Sequence, residues 1–434
     1  MLTNTTFAVQ DFTAFKLQLL NWANRFNSCC FLDNHLYPSP WHVQECLLAV
    51  GTKASVHAQA GNALYALQTF LDEHKGQWVF GNLGFGLQQE TEQLLSRHTS
   101  QHLGFDDLHF FVPELVLQCR PGSVDIMAAS TEAAQHAYES ICTTSADSAA
   151  PIKQSITVQP RVSEQEYLQV IDVLKQHIKR GDCYEINYCQ EFVADNVQLN
   201  PVDLYARLSR LSPNPFSCYY KVEQSHLACA SPERYLLKQG HKIISQPIKG
   251  TAQRNLQNAV EDAAEKKALQ QSQKDQRENV MVVDLVRNDL AKLCNNGTVK
   301  VQELFGVYSY PQVHQMISTI EGDLRNDVTF ADIIQATFPM GSMTGAPKKR
   351  VLELIDKYEV SARGIFSGAV GYFHPSGNFD FNVVIRSMVY NEAERQLSFH
   401  VGSGITYYSN AAAEYEECKW KAAAIQKVLA EISA

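Results

Sequence analysis

The sequence lacks the features that would tie a chain to metal clusters, membranes or nucleic acid. It has eleven cysteines but no C-x-x-C pair: Cys29 and Cys30 are adjacent, Cys183 and Cys189 are six apart, and the others are scattered. That excludes a zinc framework of paired thiols and points to small buried thiols in a reducing compartment. No apolar stretch approaches the roughly eighteen residues a membrane span needs. The opening Met1-Leu2-Thr3-Asn4-Thr5-Thr6-Phe7 has no basic segment followed by an apolar run, so no secretory signal is expected. No membrane span is expected, and the cytoplasm is the expected location. There is no run of Lys or Arg and the net charge is −9, which argues against nucleic acid or an anionic lipid surface as the main partner. A small anionic substrate stays open, because a few inward-facing cations suffice to bind one.

What is present is a soluble globular composition. The 434 residues are 45% hydrophobic and 19% charged, enough for two ordinary domains or one large two-layered domain. Residues 1 to about 125 mix short strands and helices. Glu45 to Gly51 and Gln77 to Gly81 read as strands, and Phe110 to Leu117 is an apolar run broken by Pro113. Residues 143–155, rich in Ser, Thr, Ala and Asp, are the best linker candidate. A helix is expected from about Glu164 to Lys179, with Tyr167, Val170, Ile171, Leu174 and Ile178 at helical spacing and Gly181 ending it. Strands and helices then alternate irregularly, without an internal repeat.

The stretch from Ser231 to Thr251 reads as a hairpin. Tyr235 to Leu237 and Lys242 to Ser245 are its strands, and Gln239-Gly240 is a plausible two-residue turn. On that register Glu233 lies opposite Gln246, and Lys249 follows roughly 10 Å further along. A carboxylate and an amine then leave the hairpin at one end, Pro247 stops the ladder, and Gly250 lets the backbone turn closely. The plainer alternative is a surface hairpin with solvated charges.

Two helices carry acids on the wrong face for solvent. In the C-terminal helix, about Ala411 to Ile432, Glu414, Glu417 and Lys421 share one arc with Ile425, Val428 and Ile432. Charges on a core stripe need a reason, the simplest being acids favoured in a first turn by the helix dipole. In the helix Glu278 to Leu290, Glu278 shares an arc with Met281, Val282 and Leu285. A buried carboxylate needs a partner or a proton. Two or three such acids suggest a hard divalent cation such as Mg²⁺, the alternative being unrelated buried ion pairs. Weaker signals are the Gly- and hydroxyl-rich turn Phe338 to Lys348 running into a helix, and the Gly402-Ser403-Gly404 loop after Leu397 to Val401. Arg386 ends the apolar strand Phe381 to Ile385, as a carboxylate clamp or a capped ion pair. His314 is by default a packed loop histidine.

Taken together, these stretches resemble the chorismate-utilising enzymes. The resemblance is carried by Ser231-Pro232-Glu233-Arg234, Pro247-Ile248-Lys249-Gly250-Thr251, Asp284-Leu285-Val286-Arg287-Asn288-Asp289, Gly341-Ser342-Met343-Thr344-Gly345-Ala346-Pro347-Lys348, Ile385-Arg386-Ser387 and Gly402-Ser403-Gly404-Ile405 before the Glu-rich helix. It is good from about residue 160 onward, looser over 78–117 and faint before. It implies an α+β fold of two stacked antiparallel-rich sheets with helices outside and the active site in a central cleft. Residues 1–150 would contribute to the sandwich and 160–434 would carry catalysis, as one intertwined unit.

In this family, members that form anthranilate resemble one another in having Ala after Pro-Ile, whereas those that aminate chorismate at C4 characteristically have Lys. The resemblance therefore implies that Lys249 attacks C2 of chorismate while the C4 hydroxyl leaves, with ammonia then entering at C4. The product would be 4-amino-4-deoxychorismate, on the way to p-aminobenzoate and folate. Glu233 would be general acid and then base. Glu278 and Glu417 would hold Mg²⁺, with Glu414 near through water. Arg386 and the amides of Gly402, Ser403 and Gly404 would take the enolpyruvyl carboxylate, Lys421 would add positive charge, Thr251 would contact substrate, and His314 and Thr344 would face the ring. Phe366 departs from the Tyr or Trp of many relatives, and the N-terminal region shows no clear tryptophan-sensing motif. With no recognisable Cys-His glutaminase module, ammonia is expected from a separate glutamine amidotransferase subunit. The alternatives are an anthranilate synthase large subunit and a non-catalytic chorismate-binding subunit.

Overall fold

The apolar runs of the sequence become strands buried on both faces, gathered into two large antiparallel sheets. The computed structural model describes residues 2–98, 103–147 and 154–433. Among these, the first sheet runs in the order Thr3–Ala8, Ser123–Ala128, Leu115–Arg120, Cys46–Val50, Ser28–Asp33, Phe216–Val222, Ser225–Ser231, Ser387–Asn391, Gln396–Thr406, Glu185–Ala194 and Gly345–Ala346. The second runs Ile248–Gln253, Val313–Asp323, Lys242–Gln246, Arg234–Gln239, Phe379–Asn382, Ala369–Phe373, Val79–Leu83, Leu108–Val112 and Ala54–Ala58, with Lys300–Ser309 also pairing Val313–Asp323. Strands from before residue 130 and after residue 180 sit side by side in both sheets, so the two ends of the chain share one architecture. The linker candidate 143–155 lies partly outside the described residues.

The sheets stack face to face. Cys30, Leu47 and Tyr220 of the first sheet meet Phe80, Phe111 and Tyr372 of the second in one buried cluster, as inward-pointing residues of a sandwich must. Chain crossings between the sheets fall where the sequence breaks a strand. Pro113 separates Leu108–Val112 of the second sheet from Leu115–Arg120 of the first, because a residue without an N–H cannot continue a ladder.

Helices cover the outer faces. Glu164–Lys179 has the expected bounds, opened by a capping box of Ser163 and Glu166 and followed by Gly181 at φ 83°. Ala411–Ile432 is capped by the Asn410 side chain accepting from the Ala413 N–H. Both helices pack on the first sheet through Tyr167, Ile171, Leu174, Ile425 and Val428. Gln273–Ala291 covers the second sheet through Val283 and Leu290. Ten cysteines are buried, Cys142 is exposed, and all are free thiols.

Three local expectations are corrected. The hairpin turns at Gly240-His241, because Gln239 pairs with Lys242, and Arg234 rather than Glu233 stands opposite Gln246. Gly240 takes φ 61°, the left-handed geometry that a tight hairpin turn demands. Pro247 is a joint: Lys242–Gln246 and Ile248–Gln253 lie end to end along the same edge of Val313–Asp323. The strand expected to end at Arg386 stops at Asn382. Residues 383–386 cross from the second sheet to the first, and Arg386 itself has φ 52°, an uncommon geometry for a side chain of that size.

Candidate active site

One cavity of about 320 Å³ opens where the two sheets part, and most of the expected residues line it. Glu233, Lys249, Thr251, Glu278, Arg386, Gly402, Gly404, Glu417 and Lys421 all reach its wall. The joint at Pro247 brings this about. By starting a second short strand, it turns Lys249 and Thr251 toward the cavity that Glu233 reaches from the start of the hairpin.

The lysine is not a free amine. Its Nζ donates to Glu185 Oε1 on Glu185–Ala194, a strand of the opposite sheet. Burial alone pulls the Lys249 pKa down, but the charges of Glu185 and Glu278, the hydrogen bond to Glu185 and the charge of Glu417 outweigh it. The amine is held above its ordinary range, as an ammonium. Glu233 is the reverse case. It is 3% exposed, and burial pushes its carboxyl up to about 7, against the Ser342 hydroxyl, the Ile248 N–H and the Lys249 charge. A carboxyl that keeps a proton near neutrality, beside a lysine, is suited to general acid work.

Glycine shapes the far wall. Gly402 and Gly404 lie inside the strand Gln396–Thr406, not in a loop. Ser403 between them alternates to the other face, its hydroxyl 3.3 Å from the Tyr167 hydroxyl, so its side chain does not line the cavity. Pairing of this strand with Ser387–Asn391 stops at Ser398, leaving that edge without a strand partner alongside Arg386. The Arg386 guanidinium stands 5.7 Å from the Trp420 ring centre. Among the described residues it makes no hydrogen bond or ion pair, and burial lowers its pKa against the charge of Glu417. A half-buried, unpaired fork of donors is a receptor for an incoming carboxylate. Lys421 Nζ donates to the Gly402 carbonyl and to Glu417 Oε1, each at 2.7 Å.

The three acids assigned to a metal are not gathered into one set. Among the described residues, no three acidic, histidine or cysteine groups are close enough together to hold an ion. Glu278 and Glu417 line the cavity, while Glu414, buried in the first turn of its helix, does not. Glu278 nonetheless has the character of a cation ligand. Its Oε1 is buried without a hydrogen-bond partner, and burial, countered by Lys249 and reinforced by Glu185, pushes its carboxyl up to about 7. In Glu417 burial acts upward too, but Lys421, Lys274 and Lys249 outweigh it and the carboxyl sits below its usual range.

Two expected residues are elsewhere. His314 is on the strand Val313–Asp323 and 1% exposed, with Nδ1 2.9 Å from Ser309 Oγ and Nε2 3.1 Å from Asp262 Oδ1. Both ring nitrogens are engaged, so it is a packed histidine away from the cavity. Thr344 is fully buried, its hydroxyl donating to the Met340 carbonyl at 3.0 Å; Ser342 and Met343 form the wall instead. Phe366 does line the cavity and stacks on His400, ring centres 5.1 Å apart at 13°.

Sequence reasoning missed Glu185, Asn187 and Lys274. The first two were detectable: in Glu185-Ile186-Asn187-Tyr188 polar and apolar residues alternate on a strand, and here the polar face is buried. A buried ion pair fixes that strand to the wall. Arg363 makes a bidentate contact with Glu359 at 2.6 and 2.9 Å and donates to the carbonyls of Met343 and Asn187 at 2.8 and 2.9 Å.

Comparison with known proteins agrees with this geometry. Residues 34–427 match the family described as chorismate binding enzyme. The chain is 39% identical over 274 residues to the probable chloroplastic aminodeoxychorismate synthase of Oryza sativa subsp. japonica, covering 62% of this chain and 30% of that protein. It is 36% identical over 259 residues to aminodeoxychorismate synthase component 1 of Escherichia coli (strain K12), covering 60% and 56%. The chain thus spans less than two thirds of the length of these curated relatives. Its fold is that of anthranilate synthase component I from Streptococcus pneumoniae TIGR4, with a TM-score of 0.75 at 23% identity over 89% of this chain and 94% of that one. The menaquinone-specific isochorismate synthase MenF from Escherichia coli shares it too, with a TM-score of 0.77 at 18% identity over 99% and 95%.

Proposed function

The chain belongs to the chorismate binding enzyme family, and we propose that it aminates chorismate with ammonia to give 4-amino-4-deoxychorismate through a covalent bond to Lys249. The observation that carries this reading is a lysine with its side chain 11% exposed, facing a cavity beside a carboxyl that burial pushes up to about 7. A lysine can add to C2 only while something protonates the departing C4 hydroxyl, since hydroxide is a poor leaving group. The Lys249 nitrogen bonds to C2, the two conjugated ring double bonds shift from C1=C2 and C5=C6 to C1=C6 and C4=C5, and the C4–O bond breaks as Glu233 supplies the proton that makes water. Ammonia then bonds to C4, both double bonds shift back, the C2–N bond breaks, and Glu233, now a carboxylate, takes a proton from the new ammonium. Arg386 and the open edge at Gly402 to Gly404 hold the enolpyruvyl carboxylate, and Lys421 adds positive charge on that side. His314 and Thr344 have no part in these steps.

Mg²⁺ belongs to the reading as well. Glu278, whose Oε1 has no hydrogen-bond partner and only a 4.0 Å ion pair to Lys274, and Glu417 would hold it, and the ion would supply positive charge to anchor the ring carboxylate. Ammonia would come from a glutamine amidotransferase partner, in keeping with the component naming of the Escherichia coli relative. No helix among the described residues is long and apolar enough to cross a membrane, and a cytoplasmic location goes with this reading.

The test is product identity. The chain, incubated with chorismate, Mg²⁺ and ammonium, should give 4-amino-4-deoxychorismate without pyruvate release. Anthranilate with stoichiometric pyruvate would make it an anthranilate synthase large subunit. Chorismate binding without turnover would make it a non-catalytic subunit.

A further inference from the structure

Lys249 hydrogen-bonds through Nζ to one group among the described residues, and that group is not on the cavity wall. Glu185 reaches Nζ from behind, its side chain 3% exposed. No other hydrogen bond or ion pair to that carboxylate occurs among the described residues. Both neighbours of the pair are cut back to glycine. A side-chain carbon on Gly404 would lie 2.8 Å from Glu185 Oε1 and 2.8 Å from Lys249 Nζ, and one on Gly345 would lie 2.1 Å from the Glu185 carbonyl oxygen. The surrounding backbone thus closes tightly on Glu185, at its main chain from Gly345 and at its carboxylate from Gly404, and the lysine nitrogen is that carboxylate's one hydrogen-bond partner among the described residues. Isolated buried ion pairs give little net stability, so the expense of this one asks for another reason.

The reason offered here rests on the reading that Lys249 is the nucleophile. An ammonium has no lone pair, so one proton must leave before the C2–N bond can form. Four carboxyl groups stand around Nζ: Glu185 from the strand Glu185–Ala194, Glu278 from the helix Gln273–Ala291, Glu417 from the C-terminal helix, and Glu233 ahead of the hairpin. Lys274, Lys421, Asp275 and Arg386 form the next ring of charge. Glu233 must start protonated to serve the leaving hydroxyl, and Glu278 and Glu417 face the cavity. Glu185 alone is hydrogen-bonded to the nitrogen.

We propose that Glu185 takes the Lys249 proton, stores it while the covalent adduct exists, and returns it when the lysine leaves. The protons balance. Lys249 ammonium and Glu185 carboxylate become amine and carboxylic acid. The amine attacks C2, and the adduct persists as a secondary ammonium with Glu185 protonated. Ammonia at C4 expels neutral lysine, which recovers its third proton from Glu185. Because Glu185 is screened from the cavity by Lys249 itself, the stored proton is kept away from the ring and from incoming ammonia. Glu185 acts only through Lys249, as a positioning residue with a proton-holding role.

Glu185→Gln keeps the size and an oxygen for the lysine but holds no proton. With chorismate and no ammonia, adduct formation on Lys249 should fall about 10²- to 10⁴-fold near pH 7, the usual range for a lost acid–base group. Relative to wild type, whose own rate falls as Glu233 ionises, it should recover as the pH rises and solvent deprotonates the lysine. Glu185→Asp should restore part of the rate without that recovery. In the ligand-free chain, reductive methylation of Lys249 read by peptide mass spectrometry should run faster in Glu185→Gln than in wild type at any one pH, because the ammonium has lost its carboxylate. Adduct formation by Glu185→Gln at or above the wild-type rate at pH 7 overturns the proposal, and so does methylation at an unchanged rate. Should Glu185→Gln fail to fold, Glu185→Asp decides: a wild-type rate and pH profile despite the shortened reach overturns the role. A wild-type chain that forms no adduct at all removes the lysine reading itself, a different result from equal rates in the two chains.

Discussion

Gly404 faces Lys249 so closely that any side-chain carbon there would stand 2.8 Å from the amine nitrogen, well inside van der Waals contact. Gly404 lies in a strand of the first sheet and Lys249 in a strand of the second, so this contact sets how far the lysine can reach across the cleft. Overpacking of this kind costs about 1–3 kcal/mol, and a nucleophile displaced by about 1 Å loses on the order of 10² in rate. Gly404→Ala should therefore keep its melting temperature within a few degrees while amination falls at least tenfold. A large loss of stability at full activity per folded molecule would show that Gly404 serves only the sheet.

Glu233 should govern the pH profile. Its carboxyl is pushed up to about 7 by burial, so the acid form needed for the leaving hydroxyl is lost as the pH rises through 7. Adduct formation measured without ammonia should decline above pH 7 in wild type, and Glu233→Gln should be slower by about 10²–10⁴-fold and lose that limb. The same shift acts on stability. An unfolded Glu ionises near 4.5, so the folded state binds more protons between 4.5 and 7. Its contribution is complete below 4.5 and is lost as the pH rises through 7. Wild type should lose stability relative to Glu233→Gln across that window in thermal unfolding.

Arg386 should set affinity for the substrate acid. Replacing its fork with a single ammonium, Arg386→Lys, removes a bidentate charge-assisted contact of about 1.5–3 kcal/mol. The KM for chorismate should rise roughly 10- to 100-fold with kcat changed far less. An unchanged KM would place the carboxylate elsewhere.

The frame behind the cavity should be the costliest place to remove a charge. Glu359→Gln leaves the Arg363 guanidinium, itself 3% exposed, without its anion. Breaking a buried pair from one side costs about 3–5 kcal/mol. Urea unfolding should show a loss of that order. A change under about 1 kcal/mol would mean the backbone carbonyls of Met343 and Asn187 suffice to hold the arginine.

The sequence revealed this site unevenly, and the reasons are physical. The C-terminal helix was readable because helical periodicity is local: Glu417 and Lys421 share an arc with Ile425 whatever lies across from them. Lys249 and Glu233 were readable because a hairpin converts short separation into proximity, and a one-residue error in the turn did not change which end they leave by. The alternation around Glu185 was visible but its role was not, because that role depends on a strand of the other sheet, and nothing in residues 181–194 names that partner. His314 failed for the opposite reason. The family resemblance put it before the ring, but its nitrogens are engaged by Ser309 and by Asp262, which lies on the helix Ala259–Gln271. The two-sheet sandwich was expected from the resemblance alone; irregular alternation of short elements does not specify which strands pair.

The account turns on a bond between Lys249 and C2, and mass spectrometry of the chain incubated with chorismate and Mg²⁺ but no ammonia reads it directly. A mass gain equal to chorismate less one water, on the peptide that contains Lys249 and absent in Lys249→Ala, is the predicted result. Amination by Lys249→Ala at the wild-type rate, with no adduct on any lysine of the wild-type chain, would contradict it.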